Sequence, residues 1–120
     1  MKESIIRTKS FDFALRIIKL TDTLYEQKVF VLANQVLRSG TSIGSNVEEA
    51  TAAVSRKEFI AKMAIAYKES QETRYWLRLL RESHKIEQTL ADSLLNDCEE
   101  LCKILSAIIK STRENPPPHS

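Results

Sequence analysis

No proline occurs before residue 116, and the only two glycines, Gly40 and Gly44, stand four residues apart. Proline lacks the amide proton that helix and sheet interiors use, and glycine loses the most backbone entropy on ordering, so these residues usually interrupt regular structure. A chain of this length almost without them has few ways to turn sharply. Leu, Ile, Ala, Glu and Lys abound, which is helix-forming composition, and the punctuation of strand-and-turn proteins is missing. At 120 residues there is material for one core and too little for two. The expected fold is all-α, with four helices forming one domain over residues 1–114. The Pro-rich tail, residues 115–120, has nothing to bury and is expected to be extended or disordered.

Apolar spacing places the helices. Helix one is expected from Phe11 to Glu26, with Ser10 as N-cap. Its apolar residues, Phe11, Phe13, Ala14, Leu15, Ile17, Ile18, Leu20, Leu24 and Tyr25, cover an arc of roughly 220°, far more than one packing seam needs. Helix two, Phe30 to Ala53, carries Val29, Val36, Gly40, Ile43, Val47, Ala50 and Val54 on alternating three and four spacing, a coiled-coil-like seam. Gly40 and Gly44 each cost a helix interior about 1 kcal/mol, which close approach of another helix backbone would offset. The alternative is a helix break at Ser39-Gly40-Thr41. Helix three opens at Ser55-Arg56-Lys57-Glu58, a Ser-x-x-Glu capping box, and runs to about Ser83. Its core line is Phe59, Met63, Ala66, Ser70, Thr73, Leu77 and Leu80, and Ala61, Ile65, Trp76 and Leu79 form a second apolar flank. Helix four, Thr89 to Thr112, fills about half its wheel with apolar side chains from Leu90 to Ile109. Surplus apolar surface on helices one and three predicts packing against further copies, an oligomeric bundle.

Several function classes are disfavoured. No apolar run approaches the ~18 residues of a membrane span, and Met1-Lys2-Glu3-Ser4 is not followed by a signal-peptide core. A cytoplasmic protein without membrane contact is expected. Gly-rich phosphate loops, a Gly-x-Ser-x-Gly elbow, Cys-x-x-Cys and His-Glu-x-x-His are all absent from the sequence, so catalysis and cofactors are not expected. Cys98 and Cys102 share one helix face and with His84 make three soft-metal ligands lacking a fourth, so they read as small core residues rather than a metal site. His84 reads as a solvated residue near a helix C-terminus.

The formal charge of +2 is too mild to announce nucleic-acid binding, but its distribution is uneven. Residues 56–85 carry net +4 and residues 86–115 net −3. On helix three, Arg74, Arg78, Arg81 and Lys85 are spaced four, three and four, with Tyr67 on the same line. Such a ladder suits successive phosphates, with an aromatic for stacking. The competing interpretation is a solvated face paired with the acidic helix four. Glu69 and Glu72 fall on one face beside Trp76 and need polar partners there. The polar face of helix two, which holds Arg38, Ser42, Asn46 and Glu49, supplies them in a structural network; the alternative is a reactive carboxylate pair.

The segment Gln35-Val36-Leu37-Arg38-Ser39-Gly40-Thr41-Ser42-Ile43-Gly44-Ser45-Asn46-Val47-Glu48-Glu49-Ala50 resembles the bacterial four-helix-bundle family associated with 23S rRNA intervening sequences. Lys57-Glu58-Phe59-Ile60-Ala61-Lys62 and Ala66-Tyr67-Lys68-Glu69-Ser70-Gln71-Glu72-Thr73-Arg74-Tyr75-Trp76-Leu77 are similar to its helix-three motif in order and spacing. The resemblance implies an up-down four-helix bundle assembled as a homopentamer, and a ribosomal-protein-like association with RNA. A remoter similarity, to the accessory variability protein of diversity-generating retroelements, implies the same architecture and nucleic-acid contact. The expected partners are further copies of the chain and RNA or DNA, reached through Arg74, Arg78, Arg81, Lys85 and Tyr67. The rival is an oligomeric scaffold for a protein partner. Gly44 departs from the family, where Ala or Pro is common.

Overall fold

The computed structural model describes residues 2–114 as four helices, α1 (Lys2–Glu26), α2 (Phe30–Thr51), α3 (Arg56–Glu82) and α4 (Gln88–Glu114), with no strand among the described residues. Links of three, four and five residues force each helix to run back beside its predecessor. Backbone contacts join α1 to α2, α2 to α3, α3 to α4 and α4 to α1, with none across either diagonal. The helices therefore stand at the corners of a square, an up-down bundle around one core. The tail expectation, residues 115–120, lies outside the described residues.

Helix ends follow local chemistry. Ser55 Oγ accepts the Glu58 amide at 3.0 Å, as a capping box requires, while the Glu58 carboxylate reaches one residue past the cap to accept the Val54 amide at 3.1 Å. At the other end of α3 the Lys85 and His84 amides return to the carbonyls of Leu80 and Arg81, both at 3.0 Å. The end of α1 repeats the pattern, with Val29 to Leu24 at 2.9 Å and Lys28 to Tyr25 at 3.0 Å. Both are Schellman closures, whose pivot needs left-handed backbone; Lys28 (φ 62°) and His84 (φ 58°) adopt it without being glycine. His84 is exposed, as expected, and its role there is conformational.

Three expectations need correction. α1 begins at Lys2 rather than Phe11, because Ile6, fully buried seven residues before Phe13, carries the apolar seam another two turns backward. Ser10 is consequently no cap: it lies inside the helix, buried, with Oγ donating to the Arg7 carbonyl at 3.3 Å. Val54 leaves the seam of α2 because that helix stops at Thr51, and it is 94% exposed. α2 runs unbroken through Ser39-Gly40-Thr41, so the alternative of a break there does not occur.

The two glycines mark where α2 meets α1. A Cβ on Gly40 would stand 2.9 Å from both Cγ1 and Cγ2 of Ile17, whose β-branched side chain has little freedom to retreat. At Gly44 the added carbon would stand 3.5 Å from Ser10 O and Oγ, an ordinary contact.

Besides Ser10 and Thr21, which bond back to carbonyls of α1, the buried polar side chains gather in one layer between helices. Thr73 Oγ1 donates to Ser39 Oγ at 2.9 Å across α2 and α3, and Ser39 donates onward to the Gln35 carbonyl at 3.0 Å. Less than one turn away, Ser70 Oγ lies 3.1 Å from Cys102 Sγ, and Cys98 Sγ donates to the Ser70 carbonyl at 3.2 Å. Both thiols are free and buried, and no buried side-chain polar atom lacks a partner among the described residues.

Outside, every helix leaves some apolar side chain open, Phe30 and Val31 at the start of α2 and Leu90 on α4 among them. Phe11, Leu15 and Ile18, 64, 53 and 43% exposed, line the outer face of α1 one helical turn apart. Ile65 and Leu79 on α3 are also exposed, at 41 and 36%. Among the described residues no helix is long and apolar enough to cross a membrane.

Candidate nucleic-acid interface

The acidic residues in the first half of α4 are engaged by cations of its neighbours. Arg16 of α1 reaches Asp97 at 2.6 Å and Ser93 at 3.1 Å, and Lys9 reaches Glu100 at 3.1 Å. From α3, Arg74 pairs with Glu99 at 3.3 Å, and Arg81 with Asp92 at 2.9 Å and with Glu82 at 2.7 Å. Two of the four rungs in the α3 ladder are thus held by carboxylates, while Arg78 and Lys85 are exposed and have no acidic partner among the described residues. These pairs sit at the surface, where each is worth about 0–1 kcal/mol, so an arriving anion competes with them on easy terms.

Beyond Glu99 and Glu100 the character of α4 changes. From residue 101 to residue 113 it has no acid and three cations, Lys103, Lys110 and Arg113. Their spacing, with Ser106 between, is three, four and three, which aligns them along one edge of the helix facing α3. None makes an ion pair among the described residues. Two adjoining depressions run down this side of the bundle. One, about 550 Å³, is lined by Tyr67, Gln71, Arg74, Glu99, Cys102 and Lys103, among others. The next, about 400 Å³, carries on past Ala64, Ile109, Lys110 and Arg113 to Glu114. Tyr67, Ser106 and Lys110 belong to both, so the two form one groove.

The structure therefore brings Tyr67 and Arg74 of the expected site together with cations of α4 and leaves Arg81 tied to acids; Lys85, expected on helix three, lies in the link beyond it, because α3 ends at Glu82 and left-handed His84 turns the chain away. Sequence reasoning misses Lys103, Lys110 and Arg113 because a thirty-residue charge window averages the acidic first half of α4 with its basic second half. Their heptad-like spacing is the signal that could have found them.

On the groove floor, hydrogen bonding from Cys98, then from the Ser70 hydroxyl, together with the charge of Arg74, pulls the Cys102 thiol down to about 6 against the effect of burial. The bond to Cys102 and burial push the Cys98 thiol up. Of the two, Cys102 is the thiol that lines the groove, while Cys98 is fully buried. No cluster of His, Cys, Asp and Glu suited to a metal ion occurs among the described residues.

On the opposite side of α3, Arg38 donates to Glu69 at 3.1 Å and also pairs with Glu72, whose carboxylate accepts the Trp76 indole N–H at 3.1 Å. The remaining residues expected in that network go elsewhere. Ser42 donates to the Arg38 carbonyl at 2.6 Å and Asn46 to the Ser42 carbonyl at 2.8 Å, because side chains this short bond back to their own helix. Glu49 pairs with Lys62 at 2.9 Å. Each carboxylate of the pair thus sits in an ion pair to Arg38.

Fold and surface together define a class: a small up-down four-helix bundle with a groove rich in cations along one helix pair and apolar side chains exposed on the protomer. The family model for the 23S rRNA-intervening sequence protein matches residues 2–107, and the chain belongs to that family. A crystal structure from Bacteroides thetaiotaomicron, of a protein with unknown function from the S23 ribosomal protein family, is similar to it at 49% identity with a TM-score of 0.90. The match covers 92% of this chain and 99% of that one. No curated protein matches.

Proposed function

We propose that the protein is a non-catalytic, homo-oligomeric nucleic-acid-associated bundle, which holds phosphates along the α3–α4 groove. The single observation that carries this reading is the line Lys103, Lys110 and Arg113, unpaired among the described residues, facing Tyr67 across the groove. Where Asp92, Asp97, Glu99 and Glu100 of the same helix are all matched to cations, unmatched cations in a file are the feature that awaits an anion. The family name supports RNA as the anion. The exposed apolar residues of α1 and α3 support self-assembly, with the homopentamer as the expected ring. Repetition around an axis would multiply a modest groove into an avid surface.

The test combines light-scattering mass with binding to labelled RNA and DNA at two salt concentrations, for wild type and for Lys103→Glu with Lys110→Glu. The expected result is an oligomeric mass unaltered by the substitutions, with salt-sensitive binding lost in the variant. Binding that is indifferent to both salt and charge reversal would favour a protein-binding scaffold instead.

A further inference from the structure

The groove is only partly a charged surface. Its rim carries Lys103, Lys110, Arg113 and Arg74, but its floor is Tyr67, Ala64, Ala107 and Ile109. A ligand that used the rim alone would leave that floor idle. Duplex nucleic acid is such a ligand, since its bases are stacked inward and it presents one phosphate per ~1.7 Å of axis. The cations here are sparse by comparison, Lys103 and Lys110 lying two turns and about 10 Å apart along α4. A strand with unpaired bases fits both parts at once, phosphate on the rim and base against the aromatic ring. Tyr67 can receive such a base, because it is partly buried against the core, so its ring is held in place, and it lies where the two depressions join.

Resting on the nucleic-acid reading above, we infer that the α3–α4 groove selects single-stranded over double-stranded nucleic acid, with an unpaired base stacked on Tyr67 and adjacent phosphates on Lys103 and Lys110. Besides Tyr67 and Cys102, Gln71 and Ser106 are the only uncharged polar side chains in the wider depression, too few to read successive base edges, so recognition rests on stacking and charge and is largely tolerant of sequence. Glu99 opposes it. Its carboxylate holds Arg74 at 3.3 Å and adds the one negative charge of the wider depression, so an incoming phosphate must displace it. Glu99 is a competitor that weakens binding.

The experiment is fluorescence anisotropy on the full chain with labelled oligo-U, oligo-dT, a mixed-sequence single strand and a duplex of equal length. Wild type is compared with Tyr67→Leu, Tyr67→Trp, Glu99→Gln and Lys103→Glu, each checked for helicity by circular dichroism. Single strands are expected to bind at least tenfold more tightly than the duplex. Tyr67→Leu should weaken single-strand binding roughly five- to hundredfold while leaving the duplex unchanged, and Tyr67→Trp should restore it. Glu99→Gln should tighten binding, and Lys103→Glu should lower the salt slope by about 0.7 or more. Alkylation of Cys102, on the same floor, should slow when a single strand is bound.

Three results would overturn the inference. If the duplex binds as well as the single strands, or Tyr67→Leu affects neither while Lys103→Glu weakens both, the groove is a plain phosphate track: selection and stacking both fall, and the nucleic-acid reading stands. If inorganic polyphosphate competes as effectively as oligo-U, bases contribute nothing. If no nucleic acid binds wild type at low salt, the inference falls together with the reading it rests on. A Tyr67→Leu chain that loses helicity is decided by Tyr67→Trp and by Cys102 protection.

Discussion

Gly40 shows at the level of one residue why composition predicts less than contact does. Both glycines look equally costly in a helix, yet only one is needed for space. Gly40→Ala gains up to about 1 kcal/mol of helix propensity and forces its new methyl against Ile17, an overpacking cost of typically 1–3 kcal/mol. Gly44→Ala gains the same propensity and meets Ser10 at a comfortable 3.5 Å. Urea unfolding at fixed protein concentration should therefore show Gly40→Ala less stable than wild type and Gly44→Ala equal or more stable. The close approach itself is legible from the spacing of the two glycines. Which one is sterically required is not, because that depends on Ile17, more than twenty residues away. Ser10 misleads for a related reason: a small polar residue is a good cap and equally good where a neighbouring backbone comes close, and Gly44 lies opposite it.

At the scale of elements, a helix that announces its own start can be placed from sequence and one that does not cannot. α3 carries its capping box in the sequence, and its observed start at Arg56 follows. α1 has no such signal, and the reach of its seam back to Ile6 is visible only once the core is assembled. Charge behaves similarly. The Arg74-Arg78-Arg81-Lys85 ladder is readable on α3, but the partners that take up two of its members sit on α4, and antiparallel packing decides which acid meets which base. The groove is half legible in consequence, Tyr67 and Arg74 from the sequence and the α4 edge from the structure. The closures of α1 and α3 yield a prediction at this scale. A non-glycine residue in left-handed backbone costs roughly 1 kcal/mol, so His84→Gly and Lys28→Gly should each raise stability by about that amount, read as a higher urea midpoint with unchanged slope.

For the whole molecule, the wide apolar arcs of α1 and α3 offer more surface than one bundle can bury, and the protomer does leave Phe11, Leu15 and Ile18 open. Their side chains point away from the protomer's core, so replacing them leaves that core intact. Phe11→Glu with Leu15→Glu should shift the light-scattering mass to that of a monomer while helicity measured by circular dichroism stays near wild type. An oligomer that survives the change would place the assembly surface elsewhere, with the α3 flank of Ile65 and Leu79 next to test.

The polar layer inside the bundle bears on how the groove is able to move. α3 is fastened at one level to α2 through Thr73 and Ser39, and to α4 through Ser70, Cys98 and Cys102. Sliding α4 along α3 by a single turn would strand those hydroxyl and thiol groups in an apolar interior, a penalty of roughly 1–3 kcal/mol for each. Shear is therefore the stiff coordinate of this molecule and splaying the soft one. The groove should open most between its two fastenings, the pin at Ser70 and the Arg56 guanidinium that donates to the Thr112 carbonyl at 3.0 and 3.1 Å at the other end, and the spacing of its cations along the axis should hold constant as it does.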